Sequence, residues 1–207
     1  MKHILLLPIV LLLAACATQQ PPEFPANQAV GLSDQQGGAL EQAMKNKGAL
    51  LYGQNYFYNL STPTGWVLDN SAGVGQGLDA VFYEKGGNWA TATTVMYPQV
   101  WQKEGKQLSA IVADDIAQYK AHFPTLAITD EPPIKTKNGQ KAELKYFSGG
   151  ARNQFEAIAY FDEPRVVVMV VFQAPTQEAF KKAYPAFVEL VRSYIYLGDS
   201  PPAIQGS

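Results

Sequence analysis

The chain predicts an α+β fold, an antiparallel sheet with helices on both faces, in the manner of an α/β/α sandwich. Three observations carry that expectation. Val166 to Phe172 is an unbroken apolar run, the pattern of a central strand covered on both sides. Val112, Ile116, Tyr119 and Phe123, and later Phe180, Ala183, Phe187, Leu190 and Tyr194, recur at helical spacing and trace two apolar stripes. Between these segments, runs of β-forming residues are broken by turn signals at Gly86-Gly87, Asn138-Gly139 and Asp162-Glu163-Pro164.

The chain opens on Met1-Lys2-His3, then an apolar run from Ile4 to Leu13 broken only by Pro8, then Ala14-Ala15. A positive start, a short apolar core and a small-residue exit describe a secretory signal. A membrane span needs roughly 20 apolar residues, and this run is shorter. Residues 1–15 are therefore expected to be removed. Leu13-Ala14-Ala15-Cys16 resembles the bacterial lipobox, which implies diacylglycerol on the Cys16 thiol and cleavage before it. Two or more acyl chains hold a protein stably on a membrane. Ala17 is not the Asp that commonly retains such proteins at an inner membrane. The resemblance thus implies the outer membrane, facing the periplasm, in a Gram-negative host.

Removing residues 1–15 takes one Lys from a count of 16 basic against 18 acidic residues, for a mature charge of about −3. There is no basic block of the kind that binds nucleic acid. Cys16 is the single cysteine, so no disulfide can form within the chain. Stability must come from a packed core, which 47% hydrophobic and 12% aromatic content can supply.

Residues 16–49 read as the lipidated Cys and a Gln/Pro/Ala-rich tether, with a short helix over 38–48 ending at Gly48. The globular domain is expected over 50–197. "QNYFYNLSTPTGWVLDN" supplies two strands separated by Pro63-Thr64-Gly65, and "LDAVFYEKGGNWATATTVMYP" a hairpin about Gly86-Gly87. "MYPQVWQKEGK" reads as a Pro-containing connection to the first helix. In that helix Ser109 stands near the start and Pro124 closes it. Asn138-Gly139 predicts a tight hairpin, since both residues tolerate φ > 0. In the strand that follows, Phe155, Ala157, Ala159 and Phe161 share one face while Glu156 belongs to the other. Thr176 is a good N-cap for the last helix, and Pro185 should kink or restart it. Residues 198–207 read as a disordered tail.

This order of elements resembles the PsbP-like families, which include the extrinsic photosystem II protein and the bacterial DcrB-type lipoproteins. Phe57, Pro63, Gly65 and Trp66, the helix after Ser109, the Asn138-Gly139 hairpin and the closing helix with Phe180 and Phe187 carry the likeness, over about residues 50–197. It implies a sandwich fold and a non-enzymatic role in binding a protein or supporting an assembly. It brings no catalytic set.

The residues themselves offer little chemistry. One His, His122, remains after signal removal, and it reads as an exposed side chain at a helix end. No His-rich or Cys-thiolate metal site can be built, and no cofactor is implied. Asp114-Asp115 diverge by about 100° on a helix and read as a solvated face, and Asp162-Glu163 as turn chemistry. "GVGQG" at 73–77 lacks the Gly-Lys-Ser/Thr ending of a phosphate loop and reads as a connection between strands. Trp66 and Trp89 read as core or sheet-edge residues. Tyr97 and Trp101 are the candidate partner contacts, weighed against a role in plugging the core edge. The expectation is a membrane-tethered module that binds an envelope protein. The alternatives are a small-molecule or lipid carrier, marked by an apolar cavity, and a hydrolase, marked by buried acids converging in a cleft.

Overall fold

The computed structural model describes residues 48–149 and 155–201. The signal, Cys16, the tether, most of the helix expected at 38–48 and the end of the tail lie outside the described residues. Gly48, expected to end that helix, opens a strand instead.

Among the described residues, ten strands and two long helices form a mixed α+β fold. They are β1 (Gly48–Gly53), β2 (Tyr56–Ser61), β3 (Trp66–Asp69), β4 (Val81–Glu84), β5 (Val95–Gln102), α1 (Leu108–His122), β6 (Ala127–Lys135), β7 (Lys141–Ser148), β8 (Phe155–Asp162), β9 (Val166–Ala174), α2 (Gln177–Arg192) and β10 (Ile195–Gly198). A 3-10 turn, Val74–Gln76, lies in the glycine-rich connection between β3 and β4. Among the described residues no helix is long and apolar enough to cross a membrane.

Seven strands form one antiparallel sheet in the order β3-β4-β5-β9-β8-β7-β6. The apolar run is its centre: β9 pairs with β5 from Val95↔Gln173 to Gln102↔Val166, and with β8 from Phe155↔Ala174 to Asp162↔Val167. Val166 to Phe172 are all buried. Successive side chains of a strand point to opposite sides. Val166, Val168, Val170 and Phe172 join Phe180, Ala183, Phe187 and Leu190 of α2 in one cluster, while Val167, Met169 and Val171 join Ile111 and Val112 of α1 in another.

A second, three-stranded sheet, β1-β2-β10, was not expected. In it Ile195 pairs with Asn59 and Tyr196 with Tyr58, joining the two ends of the described chain. Tyr58 and Leu60 point into the α2 cluster, while Phe57, Ile195 and Leu197 form a small cluster of their own.

The turns follow residue chemistry. Gly65 (φ 81°) lets the chain reverse after Pro63, where the Trp66 N–H donates to the Pro63 carbonyl at 3.1 Å. In the β6–β7 hairpin only Gly139 takes positive φ, at 92°, and Asn138 does not. The connection spans residues 136–140 and is closed by the Thr136 N–H donating to the Gln140 carbonyl at 2.8 Å. The hairpin expected about Gly86-Gly87 is the antiparallel β4–β5 pair, joined by residues 85–94.

Thr176 caps α2 as expected, its hydroxyl accepting from the Ala179 N–H at 3.1 Å. Pro185 does not restart that helix. Gln177–Arg192 is one element, with buried Phe180 and Ala183 before the proline and buried Phe187 and Leu190 after it. That shared apolar face holds both halves against the sheet and offsets the missing N–H. Ser109 stands in the first turn of α1, as expected, and the cap position is Gln107, whose side chain makes no capping bond.

Candidate functional site

The expected partner contacts, Tyr97 and Trp101, stand on β5, not in a connection. Tyr97 is paired opposite Val171 and Trp101 opposite Val167 in the ladder with β9. Pro98 is tolerated there because β4 pairs with β5 only at Val95 and Met96, so beyond that point one edge of β5 has no ladder partner among the described residues. Tyr97 and Trp101 share a side of the strand, are half-buried, and pack against the α1 cluster. His122 is exposed at the end of α1, its Nδ1 2.9 Å from the Gln118 carbonyl.

What the sequence reading missed lies beneath α1. Asp114-Asp115 was expected to be a solvated face, and that holds only for Asp114, which pairs with Lys106 at 2.7 Å in the open. Asp115 is buried. Its position explains this: it lies four residues after Ile111, three after Val112 and four before Tyr119, on the apolar stripe itself. The sequence carries the signal in an acid that stands on the apolar stripe.

Asp115 Oδ2 accepts from the Tyr160 hydroxyl of β8 at 2.5 Å. Two strands' worth of polar side chains complete the cluster. Glu156 of β8, 6% exposed, accepts from the Tyr119 hydroxyl on one oxygen and from Gln173 Nε2 of β9 at 2.7 Å on the other. The Tyr119 ring lies 4.9 Å from that of Phe147. Burial pushes the Glu156 carboxyl up to about 7; the Tyr119 and Gln173 hydrogen bonds oppose that, and the charge of Asp115 adds to it. Burial also raises Asp115, against the Tyr160 hydrogen bond. Tyr97 is raised by burial, with Glu156 and Asp115 adding to it. The cluster therefore gathers two acids, Asp115 and Glu156, and three phenols, Tyr97, Tyr119 and Tyr160, on one side of the sheet.

A second buried acid was also misread. Asp162 stays at the turn, paired with Lys103 at 2.6 Å, but Glu163 is buried. It accepts from Gln140 Nε2 at 2.7 Å and from the Tyr194 hydroxyl at 2.9 Å, tying the β8–β9 turn to the β6–β7 hairpin and to the end of α2. Burial raises its carboxyl, the two hydrogen bonds oppose this, and Lys103 lowers it. Trp66 packs on the α2 cluster and Trp89 on a small cluster with Leu78, Val81 and Tyr83, as core-edge residues. Among the described residues no group of three or more His, Cys, Asp or Glu is arranged to hold a metal.

No protein-family model matches the chain, and no curated protein matches it. Among solved structures it is similar to cyanobacterial PsbP (CyanoP) from Synechocystis sp. PCC 6803, at 10% identity and a TM-score of 0.47, covering 72% of this chain and 92% of that one. It is similar to the Ran-binding protein Mog1p of Saccharomyces cerevisiae at 13% identity and a TM-score of 0.47, covering 73% and 95%. A Pseudomonas aeruginosa protein of unknown function aligns at 10% identity and a TM-score of 0.41, covering 70% and 94%. Scores at this level assign no family, and no residue role passes from these proteins to this chain.

Proposed function

We propose that the chain is a lipid-anchored, non-enzymatic module of the cell envelope, a PsbP-like α/β/α sandwich that docks an envelope protein or supports an assembly. Anchoring rests on the lipobox at Cys16. Residues 17–47 separate that thiol from β1 and, fully extended, reach at most about 110 Å. A domain confined in this way meets a partner in the same envelope at raised local concentration. In a host with two membranes the module sits on the outer membrane and faces the periplasm.

The observation that supports docking is the placement of Tyr97 and Trp101. Both are half-buried on one side of a rigid strand that has no ladder partner on its outer edge beyond Met96. Aromatics held this way offer contact area at low entropic cost. The acids that would serve a hydrolase, Asp115 and Glu156, are covered by α1 and engaged by phenol and amide donors.

The test is crosslinking of tagged full-length protein in intact host cells, comparing wild type, Cys16→Ser and Trp101→Ala. A specific envelope partner, lost in Trp101→Ala while the variant stays folded and acylated, is the expected result. Cys16→Ser should lose the acyl group and leave the membrane fraction. Retention of the lipid in Cys16→Ser overturns the anchor, and an unchanged partner set in Trp101→Ala overturns the docking surface.

A further inference from the structure

The acid cluster beneath α1 has a property that the docking reading does not use. Asp115 belongs to the helix and Glu156 to the sheet, and both are buried where α1 meets β8 and β9. Their donors are neutral: Tyr160 to Asp115, and Tyr119 and Gln173 to Glu156. Among the described residues no Lys, Arg or His forms an ion pair with either acid. Lys145 of β7 is committed to Asp130 of β6 at 2.6 Å and Glu143 at 2.7 Å, and Lys106 to Asp114. The other titratable groups around the cluster are Tyr97 of β5 and Glu143 of β7, and neither supplies positive charge. Two carboxylates cannot both stay charged in such a place without cost, because burial and mutual repulsion each favour the neutral form of one.

We propose that the seating of α1 on the sheet is proton-dependent: a proton held by the Asp115–Glu156 pair keeps the helix docked, and its release to solvent as pH rises loosens α1. The effect is local. The buried side chains of α2 itself are apolar, and the buried acid on that side, Glu163, meets Tyr194 beyond the helix's C-terminal end, so α2 stays in place when α1 loosens. The device is independent of whether Tyr97 and Trp101 meet a partner.

The test is peptide-resolved hydrogen exchange on the full chain at about pH 6 and about pH 8, with rates corrected for the intrinsic pH dependence of exchange. Relative to α2, peptides covering residues 108–122 should lose about tenfold or more of their protection at the higher pH, the factor expected for one pKa-unit equivalent of free energy. Glu156→Gln, which keeps the shape and removes the charge, should abolish that difference, and Asp115→Asn should reduce it. Equal protection of α1 at both pH values in the wild type overturns the proposal, as does a full pH effect that persists in Glu156→Gln. Should Glu156→Gln not fold, Asp115→Asn and the wild type decide the matter by the same readout.

Discussion

Two clusters share strand β9, and they hold their helices by different means. On the α2 side the helix's own buried contacts are apolar, and the buried acid there, Glu163, meets Tyr194 beyond the helix's end. The Phe172 ring stacks on Phe180 at 4.7 Å and on Phe187 at 5.3 Å, with Val166, Val168, Val170 and Leu190 around them. On the α1 side Val167, Met169 and Val171 meet Ile111 and Val112, but Asp115 and Glu156 are buried among the same elements. One strand of uniform composition thus supports one helix by area removed from water and the other partly by hydrogen bonds to acids. Area is indifferent to pH, whereas a buried carboxyl is not. The difference between α1 and α2 is therefore a difference in what can dislodge them.

The comparison is broken most severely from the apolar side. Phe187→Ala leaves a cavity beneath α2 and is expected to cost about 3–5 kcal/mol of unfolding free energy, by the usual cost of removing a core ring. Denaturant titration should find that loss equal at about pH 5 and about pH 8, since the removed ring stacks on Phe172 and not on an acid. A loss that depended strongly on pH would mean the two clusters are not separate. A smaller effect sharpens the same point. Thr176→Ala removes the hydroxyl that accepts from the Ala179 N–H and should cost about 1 kcal/mol, again without pH dependence.

The centre of the fold was legible in the sequence because its signals are local. The apolar run of β9, the alternation of β8, the Thr176 cap and the α2 stripe each lie within one element. What was not legible depends on distant partners. Ile195–Gly198 is four residues long and directly follows a helix whose stripe runs on to Tyr194, so nothing local marks it as a strand; its pairing with β2 makes it one. β6 runs through Glu131-Pro132-Pro133, a stretch that reads as a break. It survives as an edge strand with a register shift between Glu131 and Ile134. The site was less legible than the fold. For Tyr97 and Trp101, Pro98 makes the strand that carries them read as a connection. Asp115 and Glu163 were read by their neighbours in sequence, whereas burial is decided by neighbours in space. For Asp115 the helical period held the answer; for Glu163 only the packing of the turn against Gln140 and Tyr194 could supply it.

The most direct test of the contrast is the thermal stability of the full chain between about pH 5 and pH 8, wild type against Glu156→Gln. Burial raises the Glu156 carboxyl from 4.5 to about 7 in the folded state. Between those values the folded chain holds a proton that the unfolded chain releases, so stability falls as pH rises through the window. The contribution is on the order of 2–3 kcal/mol across it, by linkage. The account predicts a wild-type melting temperature that rises as pH is lowered from about 8 to about 5. Glu156→Gln should follow a flatter profile, the remaining slope coming from Asp115 and Glu163. Parallel profiles for the two proteins would show that α1 does not rest on a protonated acid, and would contradict the account.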